Sequence, residues 1–422
     1  MKMLRNQNQK WAKKCIMVTY TQQNAVSSLN VYANVNSTNY LLKSYELDGK
    51  YVGDAVTVTC PQYYLLDGTL YSTANHGSGG YFKWSHTLTG SDLEITYGTT
   101  AATNVVYYVE AENISGATAN SGNNADIRCS EAAGAYFGSE TNIVTLSAGS
   151  YTIYTQVWGG AGTTFTFKAG EETIREHTTT GALNPGNSSF TIAESKTITV
   201  SASGSNGKVL DLIYIVKTGE VVTIGSTGWA TFCNPWNLDF SETGATVYTA
   251  KANDEDKTVT LSAVTGGQVP ANTGFILYKA GGGDITPTVI ASATAFTGDN
   301  AANELVGVTS EQTIEYNPSN GVYNYIFQNQ TSGDGLGFYK ATNKKLHENR
   351  AYLSTSVAAP TSAPSMNIVI DNGDGNTTSI SEAFNEKSEF INDGVYYNLA
   401  GQRVTQPTKG LYIVNGRKVV IK

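Results

Sequence analysis

Charge is scarce in this chain: Lys, Arg, Asp and Glu make up 15% of its 422 residues, and the net charge of −8 comes without a cluster of Lys and Arg. Neutralising a phosphate backbone requires such a cluster, so no nucleic-acid partner is expected. Cysteine is scarce too. Cys15, Cys60, Cys129 and Cys233 stand far apart, which excludes a Cys-x-x-Cys metal or redox site; a disulfide between two of them stays open, with buried free thiols the favoured reading. His76, His86, His177 and His347 are equally solitary. No run approaches about 18 apolar residues, so no transmembrane segment is indicated. The basic start leads only into Cys15-Ile16-Met17-Val18, shorter than the roughly 7 to 15 apolar residues of a secretory signal. Also missing are a Gly-x-Ser-x-Gly elbow, a His-Glu-x-x-His helix and a phosphate-binding glycine loop.

What is present favours strands and turns. Glycine numbers 43 and tyrosine 26, beside abundant Thr, Ser and Asn, a profile that predicts an all-β protein. The length exceeds what one hydrophobic core serves. Composition shifts divide the chain into an unassigned basic start (1–20), a small β module (21–100), a central β-sandwich (101–218), an accessory β domain (219–357), a Pro/Ser/Gly/Asn-rich linker (358–390) and a C-terminal segment (391–422). The expected fold is therefore multidomain, a central jelly-roll β-sandwich flanked by small β modules. In the first module, Asp48-Gly49 and Asp67-Gly68 separate alternating runs and predict hairpins. Tyr63, Tyr64, Tyr81, Phe82 and Trp84 form either a sugar platform or the core and cross-strand pairs of a small sheet.

The central stretch opens on Val105 to Gly116, with Glu110-Ala111-Glu112 inside it. It continues through Gly134-Ala135-Tyr136-Phe137-Gly138 and Ala148-Gly149-Ser150-Tyr151, and closes on Val209-Leu210-Asp211-Leu212-Ile213. Short apolar runs at Ile143 to Leu146, Tyr151 to Trp158, Thr163 to Lys168, Ser189 to Ile192 and Thr197 to Val200 read as strands, and no segment favours a helix. These landmarks, in this order, resemble the carbohydrate-binding modules of families 6 and 35. The resemblance implies a structural calcium held by Glu110, Glu112 and Asp211. It also implies a sugar cleft in which Tyr136 and Trp158 stack on a pyranose and Asn206 hydrogen-bonds its hydroxyls. Those families place Asn beside the Leu-Asp pair, where this chain has Val209.

Two flanking regions are similar to parts of secreted Bacteroidota proteins: residues 21–100 to small β modules that precede carbohydrate-binding domains, and 219–357 to an accessory β domain whose aromatics, Trp229 and Trp236 among them, read as core. The end of the chain is more distinctive. Gly394 to Val404, the turn Pro407-Thr408-Lys409-Gly410 and Leu411 to Lys422 resemble the C-terminal sorting domain of type IX secretion cargo, a mini-sheet with a hairpin at Asn415-Gly416. The resemblance implies the type IX secretion machinery as a partner and a secreted or outer-membrane-surface location. The start lacks the matching signal, so either it is truncated or the tag is vestigial.

A glycosidase needs only two carboxylates held apart by the fold, but no module here reaches the length of a usual catalytic barrel. The expectation is a non-catalytic carbohydrate-binding protein with a polysaccharide or glycan as partner. The alternatives are a structural or adhesive surface protein built of spacer domains, or the C-terminal fragment of a secreted glycoside hydrolase or pectate lyase.

Overall fold

The computed structural model describes residues 23–74, 82–122, 124–205, 207–319, 321–330, 335–360 and 365–371, and beyond these the backbone of 377–379, 396–397, 403–404, 410–414 and 417–421. Cys15, His76, Tyr81 and Asn206 lie outside the described residues, as do 361–364 and, apart from the strand 377–379, 372–390 of the linker expected at 358–390; within that expected linker Ser365–Asp371 instead forms a strand paired on both sides. The protein is all-β. Among the described residues the helical content is one α-turn, Ala125–Arg128, and three 3-10 turns. That α-turn departs from the helix-free expectation for the central stretch, and it carries Asp126 in its first turn and Arg128 in its last.

The chain forms two compact units. The first runs through Thr223 and adds Trp236–Gly244 and Asp284–Ala293, and the second comprises Ile224–Pro235, Ala245–Gly283 and Thr294–Lys422. The two added segments of the first unit come from the stretch read as an accessory domain. Their strands, Asn237–Asp239 and Thr288–Ile290, pair antiparallel, and Thr288 also pairs with Gly219.

The first unit begins with β1 (Ala25–Val35), β2 (Thr38–Tyr51), β3 (Ala55–Thr59), β4 (Tyr63–Leu66), β5 (Thr69–Ser72), β6 (Lys83–Thr87), β7 (Leu93–Thr96) and β8 (Thr99–Ala102). Alternation places Leu29, Val31, Ala33 and Val35 of β1 in a core with Val58, Cys60, Phe82, Ile95 and Tyr97. Asp67-Gly68 makes the expected hairpin between β4 and β5, with φ of 47° and 73°. Asp48-Gly49 does not turn the chain. It lies inside β2, where a register shift opposite Val26 and Ser28 absorbs the left-handed Gly49 as a bulge, and Asn36-Ser37, at φ 49° and 65°, makes the hairpin instead.

The central region adds β9 (Val105–Glu110), β10 (Thr118–Asn120), β11 (Gly134–Tyr136), β12 (Thr141–Leu146), β13 (Gly149–Trp158), β14 (Thr164–Ala169), β15 (Glu172–Thr178), β16 (Asn184–Ile192), β17 (Lys196–Ser203) and β18 (Val209–Gly219). It is a sandwich. In one sheet β13 and β18 pair at the centre, with β16 beside β13 and both β9 and β11 beside β18; the other sheet has the order β12-β17-β14-β15. From β11 to β18 the chain passes from one sheet to the other at every step except the β14-β15 hairpin, which is the winding of a jelly roll. Ile153, Val157, Leu210, Ile213 and Ile215 of the first sheet meet Phe165, Phe167, Ile198 and Val200 of the second in one core. Each such side chain contributes roughly 1.5–3 kcal/mol by burial.

The second unit is a nearly closed sheet. Its strands follow the order Trp229–Phe232, Phe275–Tyr278, Thr246–Asn253, Thr258–Ala263, Ser365–Asp371, Gly335–Lys340, Tyr323–Gln330, Arg350–Thr355 and Leu305–Val308. The ends approach each other: the Ala351 N–H donates to Thr231 Oγ1 and Arg350 Nη1 donates to the Thr231 carbonyl, both at 3.3 Å. Trp229, Val259, Leu261, Ile276, Tyr325 and Phe338 fill the interior. Near the C-terminus the backbone of 403–404, 396–397, 410–414 and 417–421 pairs in that order as a small sheet. Among the described residues Cys60, Cys129 and Cys233 are buried free thiols, and no helix is long and apolar enough to cross a membrane.

Gly134 shows how tightly β11 packs on β18, because a Cβ there would lie 2.6 Å from Val209 Cγ2 and 2.7 Å from the Leu210 carbonyl oxygen. Gly134→Ala is expected to destabilise the first unit by about 1–3 kcal/mol in urea denaturation. Gly138→Ala, where a Cβ would meet nothing within 4 Å, should stay within about 0.5 kcal/mol of the parent.

Candidate functional site

On the outer face of the β13/β18 sheet, period-two alternation brings Tyr154, Tyr214 and Tyr108 into cross-strand register, Tyr154 opposite Tyr214 and Tyr214 opposite Tyr108. The rings of Tyr154 and Tyr214 stack at 4.5 Å and 9°. Tyr63, at the start of β4, sets its ring edge-on to both Tyr108 and Tyr214, at 6.2 and 5.7 Å. A cleft opens on each side of Tyr63. The smaller, about 290 Å³, is lined by Tyr63, Tyr154, Gln156, Pro185, Asn187 and Tyr214 among others. The larger, about 700 Å³, has Tyr63, Tyr64 and Tyr108 on its walls together with Lys43, Glu110, Glu112, Asn113 and Glu131.

The carboxylates beside the larger cleft are held by a specific local geometry. The register of β13 against β18 slips between Gln156 and Val157, which leaves Asp211 as the extra residue of a bulge. Asp211 is fully buried; its Oδ1 accepts the Ser130 N–H at 2.9 Å and its Oδ2 accepts Gln156 Nε2 at 2.5 Å. The Ser130 hydroxyl donates to Glu110 Oε1 at 2.7 Å, and Tyr108 OH donates to the same oxygen. Ser130 is aimed there by the two residues after it, Glu131 and Ala132, which are both left-handed at φ 48° and 65°, an uncommon conformation for residues other than glycine. The first module ties the turn down. The Gln62 N–H donates to Ser130 Oγ at 2.7 Å, the Glu131 N–H to the Cys60 carbonyl at 3.2 Å, and Thr59 Oγ1 to Glu131 Oε2 at 2.9 Å. Lys43 stands 3.7 Å from the same Glu131 oxygen.

Glu110 and Glu112 stand two apart in the sequence, a spacing that puts side chains on one face of a continuous strand. The strand instead ends at Glu110, and Glu112 sits in the 3-10 turn Ala111–Asn113, yet both side chains line the larger cleft. Glu110 Oε2 and Glu112 Oε2 are buried without a hydrogen-bond partner. Burial, reinforced by the neighbouring acids, holds the Glu110 carboxyl well above the usual carboxylate range, and burial raises Asp211 in the same way. Burial also pushes Glu112 up to about 7.

Calcium takes about six to eight oxygen ligands, and this donor set does not fit it. Both oxygens of Asp211 and one of Glu110 face N–H and O–H donors, only Glu110 Oε2 and the Glu112 carboxyl remain, and among the described residues no group of three or more His, Cys, Asp or Glu is placed to hold a metal ion.

The residues expected to stack on sugar lie elsewhere. Tyr136 is half-buried on β11 and its hydroxyl donates to the Gly204 carbonyl at 3.2 Å. Trp158, at the end of β13, packs on Ala125, Cys129 and Val209 with the Arg128 guanidinium 5.5 Å above its ring. Val209 therefore supports Trp158 from the position where the resembling families carry Asn. Asn206 lies outside the described residues. Of the platform candidates, Tyr63 and Tyr64 line the larger cleft, whereas Phe82 is core and Trp84 packs against that core. Sequence reasoning missed Tyr108, Tyr154, Tyr214 and Gln156, although their i, i+2 spacing with Glu110 and with one another was a readable signal. No protein-family model matches the chain, and no match is found among the curated proteins.

A carboxyl whose pKa is higher in the fold than in the open chain favours folding while protonated. The contribution of Glu112 is full below pH 4.5 and is lost as pH rises through about 7. Urea denaturation of the first unit should therefore show stability falling from pH 5 to pH 8. Glu112→Gln should flatten that slope.

Proposed function

We propose that the first unit is a non-catalytic carbohydrate-binding region whose site is the larger tyrosine-walled cleft. The observation that carries this reading is the combination on one surface of three tyrosine rings with carboxylate, amide and ammonium side chains. Rings offer an apolar face to a pyranose, and the polar groups read its hydroxyls. A volume of about 700 Å³ is in the usual range for a small-molecule site. Catalysis is not part of the reading, because Asp211, Glu110 and Glu131 each have at least one carboxylate oxygen tied to a protein donor.

The partner we propose is a polysaccharide or glycan met outside the cell. Support for that location comes from the Gly394 to Lys422 motifs, which resemble a type IX sorting domain, and from the antiparallel pairing of 410–414 with 417–421. The same resemblance makes the type IX secretion machinery a proposed partner and a secreted or surface-attached state the proposed location.

A glycan array probed with the full chain should retain at least one glycan class. Tyr63→Ala should lower affinity for it by about tenfold, the loss expected for one stacking ring, with an unchanged circular dichroism spectrum. Retention of no glycan would mean that the β modules are spacers.

A further inference from the structure

The larger cleft has an unbalanced wall. Among the described residues, Glu110, Glu112 and Glu131 line it against a single cation, Lys43, and Lys43 is already beside Glu131 at 3.7 Å. Glu110 is only 6% exposed, and its Oε2 has no hydrogen-bond donor; Glu112 Oε2 is likewise buried and unpartnered. A buried acceptor without a donor costs about 1–3 kcal/mol, and more when charged, so these two oxygens call for a donor from outside the protein. Of the nearby protein donors, the Ser130 hydroxyl and Tyr108 OH serve Glu110 Oε1, and Gln156 Nε2 serves Asp211 and Gln62.

Three chemistries could supply the donor. Calcium lacks the necessary oxygen set, as shown above. A neutral hydroxyl would satisfy one oxygen with a single hydrogen bond that gains nothing from charge. A primary ammonium brings three donors and a positive charge on one atom, and the faces of Tyr63, Tyr64 and Tyr108 favour a cation beside them. An anionic sugar is disfavoured by the same acids, since like charge at a desolvated site is repulsive.

Building on the proposed saccharide site, we propose that the cleft selects sugars bearing a free, protonated amine, so that its ligands are N-unsubstituted amino-sugar oligomers. The ammonium lies against Glu112 and Glu110 while the ring rests on the tyrosines.

The test is isothermal titration calorimetry of the full chain at pH 7 with three ligands of matched length: glucosamine oligomers, their N-acetylated counterparts and neutral glucose oligomers. The glucosamine oligomer should bind at least tenfold more tightly than either and weaken as sodium chloride is raised. Glu112→Gln should lower its affinity at least tenfold. Glu131→Gln provides a second variant in case the first does not fold, and should also weaken the amine. Equal binding of all three ligands would overturn the amine inference while leaving the saccharide reading intact. Binding of none would overturn both. Saturable binding of calcium alone, with loss of the glucosamine signal once the ion is bound, would assign the two free oxygens to a metal and likewise overturn the inference.

Discussion

The first unit depends on how it tolerates acids away from water. Asp211 and Glu110 are buried where an unpaired carboxylate would cost several kcal/mol, and one residue, Ser130, answers both, its amide to Asp211 and its hydroxyl to Glu110. That double role is possible only because the β18 bulge turns Asp211 toward the turn and because the consecutive left-handed residues Glu131 and Ala132 hold the turn in place. The first module then closes over the turn through Cys60, Gln62 and Thr59. Within this unit the 21–100 strands are thus part of the site rather than a separate bead. The tyrosine wall of the cleft follows from the same seam, since Tyr63 and Tyr64 come directly after Gln62.

Much of the fold was legible where apolar residues alternate. Leu29, Val31, Ala33 and Val35, or Ile213 and Ile215 in the closing strand, announce strands because one face of each is core. β15 gave no such signal. Its inward positions carry Arg175 and His177 as well as Ile174, and both polar side chains are satisfied inside by Thr155 Oγ1, at 2.8 and 2.7 Å. An alternation of polar residues looks like a loop when its hydrogen-bond partner is contributed by another sheet. Asp48-Gly49 misled because the dipeptide permits a hairpin, whereas β2 runs on through it in its long pairing with β1 and keeps the glycine as a bulge.

The candidate site was legible in part. The acids Glu110, Glu112 and Asp211 were picked out together, and they do converge on one seam, Glu110 and Glu112 on the cleft wall and Asp211 behind them. Their company was not. Ser130 and Gln156 reach the acids from positions 20 to 81 residues removed from their partners, and nothing local marks a serine as the donor for a distant aspartate. Trp158 drew attention as a large ring at a strand end, where packing on Val209 and Cys129 accounts for it as well as a ligand would.

The second unit carries a consequence for biogenesis. Its strand Thr258–Ala263 is flanked on one side by Thr246–Asn253 and on the other, in parallel, by Ser365–Asp371. On the order of a hundred residues separate the parallel partners, and such a loop closes late. As the polypeptide leaves the ribosome, the exposed rim of Thr258–Ala263 has no neighbour until nearly the whole unit has been made, and it is then that a chaperone has the most reason to shield it.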